Sequence, residues 1–350
     1  MDKYIQLESD ENIFTDIIER LGAKNVQVSS LEAIDEDCLT PFEKIYGAIL
    51  LFPYTKKYVE RSKELFQLDP SSLPGLSFVP QVNENSCGMM AILHVLLNIN
   101  DSTIIGQRLS SYKDFFEGVT ADIRGESIAH EIDLMEINND YEMHHPIVLT
   151  NTDERNESNH YCAFVPYMKV LYQLDGMLNG PVVLESFDTE VQYRQALIST
   201  LQTRIHEVLG DDPNSMNVAV LLVHESFLSQ YKRRLDAEQR TISELRMQLT
   251  TCNSPVFEAE LTMHENLAKE ILADIESEQE KVRDRKTECE LMRMNSIPFL
   301  NGLLKEYVYD AMKKGQYNTL EFDPIFIRHY DDTGSSFEDG TMETDDPSLE

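Results

Sequence analysis

The pattern of apolar and polar residues predicts strands mixed with helices over the first two thirds of the chain. The stretch 9–22 has an apolar face at helical spacing and begins with Ser9 or Asp10 as a cap, which is typical of an amphipathic helix. Short apolar runs at 46–53 and 218–223 indicate buried strands. Strands and helices mixed in this way, with hairpin connections, favour an α+β fold class for this part of the chain.

A predicted β-hairpin brings two polar residues together. The strand-like segments 160–167 and 170–176 are separated by only two residues, so we expect them to pair as antiparallel strands. His160 begins the first strand and Asp175 ends the second, which places both at the open end of the hairpin. A carboxylate beside a histidine fixes its tautomer and stabilises its imidazolium form. An ordinary cross-strand pair, or an Asp-Gly turn, fits the same pattern.

After residue 227 the pattern becomes that of long charged helices. Apolar residues follow alternating steps of three and four, with Glu238 interrupting one core position, as in a coiled-coil helix. A break at 252–255 and a second charged helix over 257–293 together predict an antiparallel helical hairpin. The apolar positions of the first helix are Leu228, Tyr231, Leu235, Ile242, Leu245 and Leu249.

These changes in pattern divide the chain into four predicted parts. A first domain covers 1–227, a long helical hairpin 228–294, and a C-terminal helical segment with an apolar start 295–330. The last part, 331–350, has eight acidic residues and no basic ones, and we expect it to be a disordered tail.

A long polar stretch at 138–159 interrupts the first domain. A connection of this length without clear periodicity is usually a functional loop or a disordered one. His144 and His145 lie within it, but no Cys, Asp or Glu stands at ligand spacing beside them. We expect them to be loop residues, and we predict no metal site and no cofactor.

Cysteine usage and the charge balance limit the compartment and the partners. The five cysteines are widely spaced and form no C-x-x-C pair, which argues against disulfides and structural zinc and favours a reducing compartment. The N-terminus shows no secretory signal pattern and no apolar run is long enough for a membrane span, so we expect an intracellular, soluble protein. The net charge is −32, and 36 acidic against 15 basic residues lie in 1–227. Such a surface repels nucleic acid and anionic lipid and attracts basic partners, although acidity kept only for solubility gives the same composition.

Cys87 stands where a polar turn meets a strongly apolar helix. The exposed N–H groups and the dipole of a helix N-terminus favour a thiolate. Six residues earlier, Gln81 can supply the side-chain amide donor of an oxyanion hole. The alternative is a buried structural cysteine, because Cys is among the most buried residue types.

Gln81, Cys87, His160 and Asp175 stand in the papain-like order of oxyanion donor, nucleophile, general base and orienting group. The stretches that contain them, with 7–10 and its helix, resemble the ubiquitin C-terminal hydrolase family of cysteine proteases. The extension that ends in Asn295-Ser296-Ile297-Pro298 is similar to that of the proteasome-associated member. The resemblance covers the whole first domain and implies these four roles for the four residues.

The resemblance also implies a fold, a substrate and partners. The family fold is papain-like: a central, mainly antiparallel sheet flanked by helices, here with an all-α helical-hairpin extension, and a loop that crosses over the active site. The substrate is ubiquitin, bound by contacts for which Glu8, Asp10 and Asn85 are candidates. The proteasome-associated member docks on a ubiquitin receptor of the proteasome and on a chromatin-remodelling complex, which implies a cytoplasmic and nuclear location. Its receptor-docking tail mixes Lys with Glu, whereas 331–350 contains no Lys.

Two other functions fit the same residues. The first is an interaction scaffold that binds ubiquitin through a catalytically silent site. The second is a hydrolase of another ubiquitin-like modifier. The intact set of four residues favours an active deubiquitinase over a silent scaffold.

Overall fold

A computed structural model describes residues 3–141, 159–209, 218–251 and 254–294, together with 298–299, 302–303, 306–307 and 313–314. The strands are β1 (Val26–Ser30), β2 (Ile45–Pro53), β3 (Asn159–Tyr167), β4 (Val170–Leu174), β5 (Val182–Ser186) and β6 (Ala219–Glu225). The helices of the first half are α1 (Glu11–Arg20), α2 (Glu36–Leu39), α3 (Lys56–Ser62), α4 (Cys87–Leu96), α5 (Ser102–Phe116), α6 (Ala121–Ala129) and α7 (Ile132–Asn139). The later helices are α8 (Glu190–Leu209), α9 (Phe227–Thr251) and α10 (Pro255–Arg293).

The described strands form one sheet in the order β1-β6-β2-β3-β4-β5, and every neighbouring pair is antiparallel. All residues of β2 are buried, because helices cover both faces of the sheet at this strand. One core cluster joins Ile49 and Ala163 to α1 and α4, and the other joins Leu50 and Phe164 to α8. This arrangement confirms the predicted α+β class with a central antiparallel sheet.

The predicted elements that lead to the site are present. Asp10 caps α1 by accepting from the backbone N–H groups of Asn12 and Ile13 at 2.7 and 3.0 Å. The predicted hairpin is β3–β4, and both turn residues, Met168 and Lys169, have left-handed φ of 46° and 63°, as a type I′ turn requires. The polar stretch predicted as a loop begins later than expected, because its first two residues end α7.

Two strands have no counterpart in the apolar pattern. β1 and β5 form the two edges of the sheet and have five residues each. Only one residue of β5 is buried, so its sequence need not show the apolar run that marks β2. Short edge strands of this kind are specified by pairing with a neighbour more than by their own composition.

The predicted helical hairpin is formed by α9 and α10. Ile242 and Leu245 of α9 are buried, as are Ala268 and Ile271 of α10. Glu238, which interrupts the apolar pattern, accepts from His264 Nδ1 at 2.6 Å, so a polar pair crosses the hairpin at that core position.

The chain forms two compact units. The first comprises 1–142 and 156–294 and contains the sheet with all the numbered elements, including α9 and α10. The second comprises 143–155 and 295–350, where the described residues 298–299, 302–303 and 306–307 are helical. His144, His145 and the tail 331–350 lie outside the described residues, and the boundary at 227 stays a prediction. Within the described part of the chain, no helix is long and apolar enough to cross a membrane.

Candidate active site

Cys87 is the first residue of α4, where a loop meets a helix that is buried along its whole length. The N–H groups of the first turn have no partners within the helix, so a negative charge on the sulfur is favoured there. Cys87 is 5% exposed, so it is almost completely buried in the core. The next residue is Gly88, and Leu7 lies against the helix at this position. A Cβ on residue 88 would lie 3.1 Å from Leu7 Cδ1, so a residue without a side chain fits best.

His160 and Asp175 form a buried pair at the open end of the β3–β4 hairpin. His160 Nε2 lies 2.8 Å from Asp175 Oδ1, and both side chains are almost completely buried. The register pairs Ala163 with Leu174, so Asp175 continues the strand opposite Cys162 and reaches His160 diagonally. The pair predicted from the sequence is therefore present, with its members offset by two residues rather than directly opposite. Cys162 is buried in the core cluster of the α8 face, as expected for a small core residue.

Asp175 is ionised although it is buried. Burial alone would raise the pKa of its carboxyl group, but His160, the Tyr58 hydroxyl and the backbone N–H of Met177 lower that pKa below its ordinary value. The Met177 N–H lies 2.9 Å from Asp175 Oδ1, and the Tyr58 hydroxyl donates to Oδ2. Three donors thus compensate for the water that the carboxylate has lost.

His160 is held in its protonated form. Burial alone would lower the pKa of its ring, but Asp175 and then Cys87 raise that pKa to about 10. Cys87 therefore lies near enough to influence the ring. With Nε2 engaged by Asp175, the other ring nitrogen, Nδ1, is left for the sulfur. A thiolate and an imidazolium oriented by a carboxylate are the groups that nucleophilic cysteine catalysis uses.

Gln81 lies next to this pair through a backbone contact. The backbone N–H of Gln81 donates to the carbonyl of Gly176 at 2.8 Å, directly after Asp175. A side chain at Gly176 would not fit, because a Cβ there would lie 2.8 Å from Gln81 Cβ. The Gln81 side chain donates one N–H to the carbonyl of Asn83 at 3.0 Å, which leaves the second N–H of the amide for another acceptor.

The three candidate ubiquitin contacts lie in the two segments that approach Cys87. Glu8 is exposed and follows Leu7, whose carbonyl accepts from the Tyr161 hydroxyl at 2.9 Å. Asp10 is partly buried, and its side chain caps α1. Asn85 is exposed two residues before Cys87, with a left-handed φ of 61°.

Sequence reasoning missed Tyr58, which lies in α3. Its ring packs 4.6 Å from the Phe52 ring and 5.9 Å from the His160 ring, between centroids. The available signal was Thr55, which caps α3 by accepting from the backbone N–H of Tyr58 at 3.2 Å. That cap predicts a helix directly after the buried strand β2, but not which residue it contacts.

The described residues hold no group of three or more His, Cys, Asp or Glu side chains that could bind a metal ion. A sulfur nucleophile beside an acid–base histidine suits attack on a carbonyl carbon and protonation of the leaving group.

Comparison with known proteins places these observations in a family context. A sequence profile described as ubiquitin carboxyl-terminal hydrolase, family 1, matches residues 4–206. Ubiquitin carboxyl-terminal hydrolase 2 of Schizosaccharomyces pombe is 30% identical over 320 residues, which cover 90% of this chain and 94% of that protein. Ubiquitin carboxyl-terminal hydrolase isozyme L5 of Dictyostelium discoideum is 26% identical over 317 residues, covering 85% and 90% of the two chains.

A solved structure supports the fold. Trichinella spiralis UCH37, crystallised bound to ubiquitin vinyl methyl ester, superposes with a TM-score of 0.58 and 19% sequence identity. The match covers 81% of this chain and 99% of that chain. The likeness extends over more than the profile match, and it confirms the papain-like fold class with a helical extension.

Proposed function

The chain belongs to ubiquitin carboxyl-terminal hydrolase family 1, a family of cysteine-type deubiquitinases, and from that premise we propose that it cleaves the bond after the C-terminal glycine of ubiquitin. The leaving group is the amine of a lysine or of a small adduct. The observation that carries this proposal is the buried His160–Asp175 pair, 2.8 Å apart, together with Cys87 at the start of a buried helix, where it contributes to the raised pKa of the His160 ring.

The proposed reaction has two halves. The Cys87 thiolate attacks the glycine carbonyl carbon, and the His160 imidazolium gives its proton to the departing amine, which leaves a thioester between Cys87 and ubiquitin. His160 then takes a proton from water, the resulting hydroxide attacks the thioester, and the thiolate is released. Asp175 keeps its charge throughout and orients the imidazole.

The oxyanion of each tetrahedral intermediate needs donors. The second N–H of the Gln81 amide and the backbone N–H of Cys87 are the groups proposed for it. Removing one such donor costs roughly 10²–10³ in kcat in enzymes of this kind. The Gly176 contact supports the role of Gln81, because it fixes the Gln81 backbone next to the residue that orients the histidine.

Ubiquitin ends in Leu-Arg-Leu-Arg-Gly-Gly, so the proposed substrate brings two arginines to the site. Acidic groups beside Cys87 suit them, and Glu8 and Asp10 are the candidates, with Asn85 as a polar contact. The paired glycines of this tail suit a nucleophile as nearly buried as Cys87, because they carry no side chain that would block the approach. The Trichinella spiralis structure was solved with a ubiquitin ester bound, which supports ubiquitin as the ligand of this fold.

We propose further that residues beyond 294 dock this enzyme on a ubiquitin receptor of the proteasome, with a chromatin-remodelling complex as another partner, in cytoplasm and nucleus. The support is that relatives match this chain over 85–90% of its length, well beyond the residues of the family profile. Capture of the full chain by purified proteasomes, and not of a chain lacking 295–350, is the expected result. Equal capture of both chains would overturn the docking proposal.

The test of the catalytic proposal is hydrolysis of a fluorogenic amide at the C-terminus of ubiquitin. The wild-type chain should turn over, Cys87→Ala should be inactive, and Gln81→Ala should lose roughly 10²–10³ in kcat. A chain that binds ubiquitin without turnover would be a silent scaffold. A chain that hydrolyses the amide of another ubiquitin-like modifier, and not that of ubiquitin, would be a hydrolase of that modifier.

A further inference from the structure

Each oxygen of the Asp175 carboxylate has a side-chain donor of its own. Oδ1 accepts from His160 and from the backbone N–H of Met177, at 2.8 and 2.9 Å. Oδ2 accepts from the hydroxyl of Tyr58. Because the two donors lie on different oxygens, the carboxylate plane is fixed at both ends, and rotation about its Cβ–Cγ bond would break one bond or the other.

The Tyr58 hydroxyl is a permanent donor. Burial, and then the neighbouring charge of Asp175, raise the pKa of the phenol far above its ordinary value, so the hydroxyl keeps its proton around neutral pH. A hydrogen bond to an ionised partner is about twice as strong as one between neutral groups. The contact is therefore well suited to holding a buried carboxylate in one orientation.

The helix that carries Tyr58 is joined to α8 by ion pairs. No residue of α3 is fully buried, so apolar packing alone does not fix the helix. Arg61, one turn after Tyr58, pairs with Glu207 of α8, and Glu207 also accepts from Arg204 at 2.8 Å. These pairs tie α3 to α8 on the side of the sheet that holds Phe52 and Tyr58.

We propose that Tyr58 is a positioning residue for the reaction: it acts through Asp175 to hold His160 at the angle that Cys87 chemistry requires. This inference rests on the proposed function and names a fifth residue of the same site. In this role Tyr58 acts through Asp175 and needs no contact with the substrate or with the Cys87 sulfur. The alternative is that the phenol only fills space beside Phe52.

The test is Tyr58→Phe in the full-length chain, assayed with the ubiquitin C-terminal amide. Removing a donor to a buried carboxylate should lower kcat about tenfold and leave KM for ubiquitin unchanged, because no substrate contact is lost. The acidic limb of the pH–activity profile should also move to higher pH. The Tyr58 hydroxyl lowers the pKa of Asp175, so its removal raises that pKa. The matched control is Tyr193→Phe, which deletes a buried tyrosine hydroxyl without a partner from the same core cluster and should change neither value.

A double-mutant cycle separates positioning from packing. In an Asp175→Asn background, Tyr58→Phe should cost less than twofold further, since the carboxylate through which it acts is gone. Tyr58→Phe with wild-type kcat and an unshifted acidic limb would overturn the inference, and so would an equal loss in both backgrounds.

The imidazole resonances of His160 in a Cys87→Ala chain give a readout without turnover. Tyr58→Phe should shift the ring N–H that faces Asp175, and Tyr193→Phe should not. This measurement keeps the two proposals distinguishable. If the wild-type chain is inactive but the His160 resonance responds to Tyr58→Phe, the proposed function is wrong and the role of Tyr58 still holds. A resonance that does not respond would end the role of Tyr58, whatever the activity.

Discussion

Asp175 shows how a fully buried carboxylate can stay charged and useful. The cost of removing it from water is offset by an imidazolium, a phenol and a backbone N–H, all arranged on its two oxygens. In return, Asp175 keeps His160 protonated inside the core, where a lone histidine would be neutral. His94 is that contrasting case: burial lowers the pKa of its ring to about 4.

The His160–Asp175 pair predicts a pH window for stability. The folded pKa of Asp175 is lowered, so its contribution is present above the ordinary value of 3.8 and is lost as the pH falls. The folded pKa of His160 is raised to about 10, so its contribution is complete below 6.5 and is lost as the pH rises toward 10. The free energy of unfolding of wild type minus that of Asp175→Asn should therefore be greatest between pH 4 and 6.5.

Urea unfolding across the pH range measures this difference. The matched control is Asp188→Asn, which removes an exposed carboxylate 3.5 Å from Lys169 and should show no such window. A difference between wild type and Asp175→Asn that stays constant from pH 4 to pH 9 would show that the pair does not titrate as described.

At the scale of elements, short local signals position the site. The cap of α1, the type I′ turn of β3–β4 and the N-terminus of α4 each help to position one part of the site. Each of these can be read from a few neighbouring residues. Asp10 is the sharpest example, because it is both the cap of α1 and a candidate contact for the substrate.

Two substitutions of Asp10 separate these roles. Asp10→Ala removes the acceptor of the Asn12 and Ile13 N–H groups and should lower the free energy of unfolding by about 1 kcal/mol. Asp10→Asn keeps an acceptor oxygen but removes the charge, so stability should stay near wild type. A rise in the KM of Asp10→Asn for the ubiquitin amide would then support the proposed contact between Asp10 and ubiquitin. If Asn destabilises the chain as much as Ala does, the capping account is wrong.

The order of elements and the His160–Asp175 pair were readable from the sequence because they depend on local patterns. The turn between β3 and β4 is two residues long, so it fixes the neighbourhood of His160 and Asp175 with little freedom. Tyr58 was not readable in this way. It lies 117 residues from Asp175, in a short helix without an apolar stripe, and only the tertiary fold brings the two together.

At the scale of the whole compact unit, the helical extension is fastened to the first domain near residue 293. Arg293 and the Tyr141 hydroxyl both bond to Asp16, which is 6% exposed. Arg285, which precedes Arg293 by about two helical turns, pairs with Glu19 at 2.7 Å. The last turns of α10 therefore complete the environment of a buried charge in α1, a contact 277 residues apart that no local pattern predicts.

Removing Arg293 should destabilise the chain. Arg293→Ala leaves Asp16 buried, with Tyr141 as the one of these two partners that remains. We expect the free energy of unfolding to fall by about 2 kcal/mol. This is less than the loss for a fully buried pair, because Arg293 is partly exposed. Arg246→Ala is the control: its pair with Glu265, at 2.8 Å, is largely exposed and should be worth about 0.3 kcal/mol. Equal losses in the two variants, measured by urea unfolding, would contradict the buried-charge account.

The most direct test of the whole account is covalent capture by ubiquitin with a propargyl group at its C-terminus, followed by mass spectrometry of the digested product. One adduct is predicted, on Cys87, in the wild-type chain, and none in Cys87→Ala, although Cys38, Cys162 and Cys289 are also free thiols. An unmodified Cys87, or an adduct on any of those three cysteines instead, would show that this site does not act as the nucleophilic centre described.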